Sequence, residues 1–188
     1  MRSSRLLIAA TLALGLASTS LAAAAEMLTI QLKTGNVVIE LAEDVAPQHS
    51  ARLKELADAG EYDNVAFHRV IDGFMAQTGD VEFGDMEDGF VPQRAGTGGS
   101  SKPDLKAEFS DVSFDRGIVG MARSQNPNSA NSQFFIMLAP GTFLNGEYTV
   151  VGKVVEGMEH VDQIKLGDAN NNGSVSDPDR MIKVRSGG

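Results

Sequence analysis

The sequence predicts a mainly β domain, an eight-stranded antiparallel β-barrel closed on itself and capped by two α-helices. Three observations carry this prediction. Short runs with period-2 alternation recur along the chain between Gly, Asn and Asp turns. Only two stretches place apolar residues at helical spacing. Strands do not alternate with helices as a βαβ fold requires.

Residues 1–25 stand apart. Arg2 and Arg5 form a positive n-region, Leu6 to Leu16 an apolar h-region, and Ser20 to Ala25 ends in small residues. This reads as a secretory signal peptide, too short and Ala-rich for a transmembrane helix. Residues 26–188 form the expected folded domain, soluble once the signal is cut. Cleavage after Ala25 would leave 163 residues with 14 basic and 25 acidic side chains, a net charge of −11. Such a surface repels phosphates and anionic headgroups, so neither nucleic acid nor a membrane is an expected partner. The absence of Cys excludes disulfides, a thiolate nucleophile, Cys–Zn sites and a lipidation cysteine. An export signal of this kind points to a Gram-negative periplasm or to secretion, and no coiled coil or extra domain argues for more than a monomer.

Met27 to Leu32 and Val37 to Leu41 alternate around Thr34-Gly35-Asn36 and read as a hairpin. Pro47 to Ala59 has Ala51, Leu53, Leu56 and Ala57 at helical spacing, Pro47 in the first turn and Gly60 past the end, which predicts a helix. Phe67 to Ile71 and Phe74 to Gly79 are expected to pair across a two-residue Asp72-Gly73 turn. Alternation then puts Phe67, Arg69 and Ile71 on one face, with Met75 and Gln77 together on the neighbouring strand. Arg69 and Gln77 would meet over one concave surface. Glu82 to Lys106 is a long polar, Gly-rich loop, a type more often functional than filler. Gly117 to Ala122, Gln133 to Leu138, Tyr148 to Val155 and Met181 to Val184 predict further strands, and Gly157 to Leu166 a second helix. In Gln133 to Met137, Gln133, Phe135 and Met137 share one face, and Phe134 and Ile136 the other.

Three blocks of this chain, in order, carry a resemblance to a known family. They are Tyr62 to Gly79 with Phe67-His68-Arg69, Phe74-Met75 and Gln77; then GIVGMA (Gly117 to Ala122) with SQFFI (Ser132 to Ile136); then FLNGEYTVVGKV (Phe143 to Val154). The sequence resembles the cyclophilin family of peptidyl-prolyl cis/trans isomerases, and the blocks span most of residues 26–188. The resemblance implies a cyclophilin-like barrel, proline-containing polypeptide substrates and no cofactor. It implies that Arg69 is the catalytic arginine and Gln77 a carbonyl-binding glutamine. Phe74, Met75, Phe135 and Leu144 would line the pocket for the substrate proline ring, while Ala122 and Arg123 would form the edge that pairs with the substrate backbone. Gln133, Phe143 and Tyr148 complete the expected substrate-binding set. Phe143 stands where many members have tryptophan and Tyr148 where many have histidine, as in the bacterial branch. Phe143 lacks the indole N–H that serves tight cyclosporin binding.

These residue types suit the reaction. An X-Pro amide resists rotation through resonance, with a barrier of roughly 18–20 kcal/mol and uncatalysed times of about 10–100 s. In the twisted transition state the nitrogen becomes pyramidal and accepts a hydrogen bond that the planar amide refuses. A guanidinium beside it therefore binds the transition state more tightly than the ground state, which is what accelerates a rate. No covalent intermediate is needed.

Other readings narrow the field. Outside its block, Arg69 would be an ordinary surface or ion-paired arginine. His68 reads as a structural, partly buried histidine. His49, His68 and His160 show no metal-ligand spacing, and no G-x-S-x-G motif marks a serine hydrolase. Gly96 to Ser100 reads as a flexible wall of the groove. In DANNNGSVSDPD, Asp168, Asn170, Asn172 and Asp179 fall at positions 1, 3, 5 and 12 of an EF-hand-like calcium loop, although position 12 is not Glu and Pro178 intrudes. An Asn/Gly-rich turn is the first reading of this segment, and calcium binding the alternative. The rival functional classes are a non-catalytic proline-binding or chaperone module on the same fold, and a calcium-regulated scaffold.

Overall fold

β1 (Met27–Leu32) and β2 (Gly35–Leu41) pair antiparallel, with Leu32 opposite Gly35, so Lys33 and Thr34 alone make the turn. Period-2 alternation sends Leu28, Ile30 and Leu32 into the core beside Val37, Ile39 and Leu41. The structure, a computed structural model, describes residues 25–187. The segment read as a signal peptide lies, but for its last residue, outside the described residues.

Helix α1 (Pro47–Asp58) then lays Leu53, Leu56 and Ala57 on the same core. Its N-cap residue makes no side-chain hydrogen bond. The Glu108 carboxylate, sixty residues on, accepts the N–H groups of Gln48 and His49 at 3.2 and 3.1 Å instead, and also takes His49 Nδ1 at 2.6 Å. Those donors hold the Glu108 pKa below its usual value against the opposing effect of burial.

The remaining strands are β3 (Arg69–Ile71), β4 (Met75–Thr78), β5 (Ile118–Met121), β6 (Phe134–Met137), β7 (Val150–Glu156) and β8 (Lys183–Ser186). All pair antiparallel in the order β3-β4-β6-β5-β7-β2-β1-β8. The expected eight strands are present, but the expected closed barrel is not. The sheet is an open half-barrel, because no ladder joins β3 to β8. Residues 167–181 fill the seam with single contacts: Val70 N–H to Gly173 O at 2.8 Å, Phe67 N–H to Asp179 O at 2.8 Å and Met181 N–H to Val65 O at 2.9 Å. Left-handed backbone at Asn172, Gly173 and Asp177, followed by Pro178, prevents a pleated strand there.

Other expectations shift as well, among them the last strand, which runs Lys183–Ser186 and not from Met181 to Val184. The second helix, α2, spans only Met158–Val161, since Gln163 and Ile164 bond three residues back and wind the chain into tighter turns. The central hairpin turns on three residues, Asp72, Gly73 and Phe74, with Ile71 opposite Met75 and Gly73 at φ +66°. Phe67 does not share a face with Arg69. It precedes β3, where strand alternation has not begun, and is fully buried in the main core.

β6 separates two cores. Phe134 and Ile136 join α1, β1 and β2 in the main core, where Tyr62 meets Phe134 edge-on at 5.7 Å and donates its hydroxyl to Ser132 O at 2.7 Å. Phe135 and Met137 face the other way, into a smaller cluster with Met75, Phe114, Ile118, Leu144 and Val150. That second cluster is the floor of the groove.

Candidate active site

β3 and β4 place Arg69 directly opposite Gln77, and β4 against β6 places Gln77 opposite Phe135. Two antiparallel registers thus assemble a cation, an amide and an aromatic ring on one face. A concavity of about 230 Å³ is lined by Arg69, Phe74, Met75, Gln77, Ala122, Arg123, Phe135, Phe143, Leu144 and Tyr148. Gln133 lies in the adjoining polar hollow of about 250 Å³ with Gly96, Thr97 and Gly98, and Gln77, Ala122 and Arg123 border both. Every residue expected at the catalytic and substrate positions therefore lines one continuous groove.

Polar groups along it form a directed chain. Arg69 Nη1 donates to Gln77 Oε1 at 3.2 Å, Gln77 Nε2 to Gln133 Oε1 at 3.0 Å, and Gln133 Nε2 to Gly98 O at 2.7 Å. A guanidinium only donates, so it dictates which end of each amide faces which neighbour. Gln77 is left with its second amide hydrogen for a carbonyl in the groove. On its other side Arg69 gives Nε to Asn172 O at 3.0 Å and Nη2 to Asn172 Oδ1 at 2.9 Å. Partial burial lowers its pKa from the usual value, a cost that an always charged guanidinium bears.

The pocket walls are aromatic. Phe135 stacks on Phe114 at 5.8 Å and meets Tyr148 in a T-shaped contact at 5.9 Å. Arg123 lies over Tyr148 at 4.4 Å and donates Nη2 to Glu147 O at 2.8 Å, which holds this rim. Opposite, Phe143 packs on Phe74 at 5.5 Å while remaining 71% exposed. Its position on a 3-10 turn, Thr142–Leu144, buries Leu144 and turns Phe143 outward.

Sequence reasoning passed over Gly120. A Cβ there would stand 2.5 Å from Phe135 Cζ and 2.6 Å from Phe114 Cε1, so the ring can lie across β5 only because Gly120 has no side chain. The signal was a glycine inside a strand pattern. Gly120→Ala is expected to push Phe135 into the pocket and raise KM for a proline peptide about tenfold, on the order of 1.4 kcal/mol. A wild-type KM in steady-state kinetics would contradict this.

The Gly96 to Ser100 wall is where expected but is not free. The fully buried Asp80 carboxylate accepts N–H groups of Gly96 and Gly98 at 2.7 and 3.0 Å through one oxygen, and of Glu82 and Phe83 at 3.1 and 3.0 Å through the other. The calcium-loop candidates are engaged in other contacts. Asn172 holds Arg69, Asp168 Oδ1 accepts Asn170 N–H at 2.8 Å, and Asp179 pairs with Lys33 at 2.6 Å. Among the described residues no group of three or more His, Asp or Glu could hold a metal ion.

His68 is buried under Gly96, and neither ring nitrogen has a hydrogen-bond partner. Burial lowers its pKa to about 4, outweighing the nearby Asp80 charge. The folded state therefore resists a proton that the unfolded chain accepts near pH 6.5. The stability this supplies is complete above that pH and is lost as pH falls toward 4, up to about 3 kcal/mol. Urea midpoints at pH 7 and pH 4 are expected to differ less for His68→Asn than for wild type.

The site is thus a groove backed by an antiparallel half-barrel, with a cation at one lip of an apolar pocket. The family model "Cyclophilin type peptidyl-prolyl cis-trans isomerase/CLD" matches residues 27–186. A Brucella suis protein described as a probable peptidyl-prolyl cis-trans isomerase is 58% identical over 184 residues, covering 96% of this chain and 94% of its own. The peptidyl-prolyl cis-trans isomerase-like 1 of Emericella nidulans is 36% identical over 161 residues, covering 84% and 92%. A Cryptosporidium parvum cyclophilin-type isomerase, crystallised in the presence of the dipeptide Ala-Pro, superposes with a TM-score of 0.73 at 28% identity over 86% of this chain and 99% of its own. The chain belongs to the cyclophilin-type peptidyl-prolyl cis-trans isomerases, and it is an enzyme of that type.

Proposed function

We propose that this isomerase accelerates rotation about X-Pro bonds in exported polypeptides and so assists their folding, as a monomer in a Gram-negative periplasm. The observation that carries the catalytic part is the Arg69 guanidinium, fixed at the lip of the apolar pocket with every hydrogen-bond partner neutral. Phe74, Met75, Phe135 and Leu144 grip the pyrrolidine ring, Gln77 holds a substrate carbonyl, and Ala122 and Arg123 offer the edge along which the peptide backbone lies. With the ring still, the acyl side of the bond turns. As resonance breaks, the nitrogen lone pair localises and takes a hydrogen bond from Arg69. Rotation breaks no σ-bond, so the reaction requires no cofactor.

The Ala-Pro dipeptide of the Cryptosporidium relative supports proline peptides as substrates. The signal-like residues 1–25 support export. A protease-coupled proline-peptide assay tests the enzyme reading: cis-to-trans conversion no faster than buffer would leave only a proline-binding module. Fractionation of the native host tests the compartment, with the protein expected in the periplasmic fraction and lacking its first 25 residues or so.

A further inference from the structure

We infer that Asn172 is a positioning residue for Arg69, holding the guanidinium through neutral oxygens and leaving its charge for the twisting amide. The inference rests on the reading of Arg69 as the transition-state donor. Arginine offers five N–H donors. Asn172 takes two of them, Nε–H with its backbone carbonyl and one Nη2–H with Oδ1, and Gln77 takes one from Nη1. One hydrogen remains on each Nη. Met75 Sδ, 4.0 Å from Nη1, is at most a weak acceptor for one of them.

Backbone shape makes this grip possible. Asn172 sits at φ +51°, a left-handed conformation that Asn tolerates better than most residues. Gly173 follows at φ +75°, where a Cβ would meet Ile71 Cγ1 at 2.4 Å. The turn is then laced to the strand that carries the arginine. Gly167 N–H donates to Val70 O at 2.9 Å, Val70 N–H to Gly173 O at 2.8 Å, and Val175 N–H to His68 O at 3.1 Å. Within the turn, Gly173 N–H closes on Asp168 O at 2.9 Å. Arg69 and its holder therefore move as one unit, and the four-rotor side chain is ordered before substrate arrives.

The chemical character of the partner matters as much as its place. A carboxylate at this position would orient the guanidinium equally well but would compete with the amide nitrogen for its field. Neutral oxygens orient without neutralising.

The test is steady-state kinetics on a proline peptide for Asn172→Gly and Asn172→Asp, each in wild-type and Arg69→Ala backgrounds, with thermal melts. Asn172→Gly keeps the left-handed turn and the backbone acceptor but removes Oδ1. It is expected to lower kcat about tenfold with KM within about twofold, and to change kcat less than about twofold once Arg69 is Ala. Asn172→Asp preserves the shape and is expected to lower kcat about fivefold or more, again only when Arg69 is present. Equal losses from Asn172→Gly in both backgrounds, or no loss in either, overturn the positioning role. Wild-type kcat in Asn172→Asp overturns the requirement for a neutral partner. Arg69→Ala at full turnover overturns the reading of Arg69 itself, a result distinct from the others. Should Asn172→Gly fail to fold, Asn172→Asp in the two backgrounds still decides.

Discussion

Arg69→Ala is expected to lower kcat by about 10²–10³, roughly 2.7–4 kcal/mol, while KM for a proline peptide changes little. The asymmetry follows from where the guanidinium acts. A planar prolyl nitrogen has no lone pair to offer, so Arg69 contributes little to ground-state binding. On the proposed reading that task falls to the pocket of Phe74, Met75, Phe135 and Leu144, which the substitution leaves in place. Arg69→Lys should fall between wild type and Ala. A lysine keeps the charge but cannot reach both oxygens of Asn172 and Oε1 of Gln77 with the fixed fork that arginine supplies. The protease-coupled assay reads both variants, and unchanged turnover in Arg69→Ala would remove the residue from its role.

Asp80→Ala should destabilise the fold by about 3–5 kcal/mol, seen as a fall in urea midpoint at unchanged m. Four backbone N–H groups converge on this one buried carboxylate, and deletion leaves them without an acceptor. Asp80→Asn tests the cause. Its amide nitrogen would face two N–H donors, so a similar side chain that merely fills space should still lose about 2–4 kcal/mol. Both variants should also lose activity. Gly98, released from Asp80, would no longer hold its carbonyl for Gln133, and the orientation passed from Arg69 through Gln77 would end in a loose amide. A midpoint within about 0.3 M of wild type for Asp80→Asn would contradict the account.

Both residues sit where local pattern and distant contact meet, which is where sequence reading succeeds and then stops. The Arg69–Gln77 pairing was readable because period-2 alternation on either side of Asp72-Gly73 is a local rule, and it survived even though the turn uses three residues instead of two. The split of Phe134 and Ile136 from Phe135 and Met137 was readable for the same reason. Phe67 was misplaced because alternation holds only inside a strand, and β3 begins two residues later. The closed barrel was an extrapolation from strand count, and counting carries no information on whether edge strands find each other. Residues 167–181 keep β3 and β8 apart through left-handed positions that only their contacts reveal.

The sequence by itself determined the alternation of its strands, the long helix, the residue types that line the groove and, through three matching blocks, the family. These are consequences of short-range periodicity and of side-chain chemistry in a fixed order. Tertiary structure alone decided how the arginine is held. Asn172, 103 positions beyond Arg69, reads in the sequence as part of an Asn/Gly-rich turn, with cation binding the alternative; in the fold that turn is laced to β3 and its oxygens meet the guanidinium. Asp80 carries no local signal of its role either, which comes from the N–H groups of Glu82, Phe83, Gly96 and Gly98 that close on its carboxylate. Hydrogen bonds between residues far apart in the chain leave no period in the sequence, so only the folded backbone discloses them.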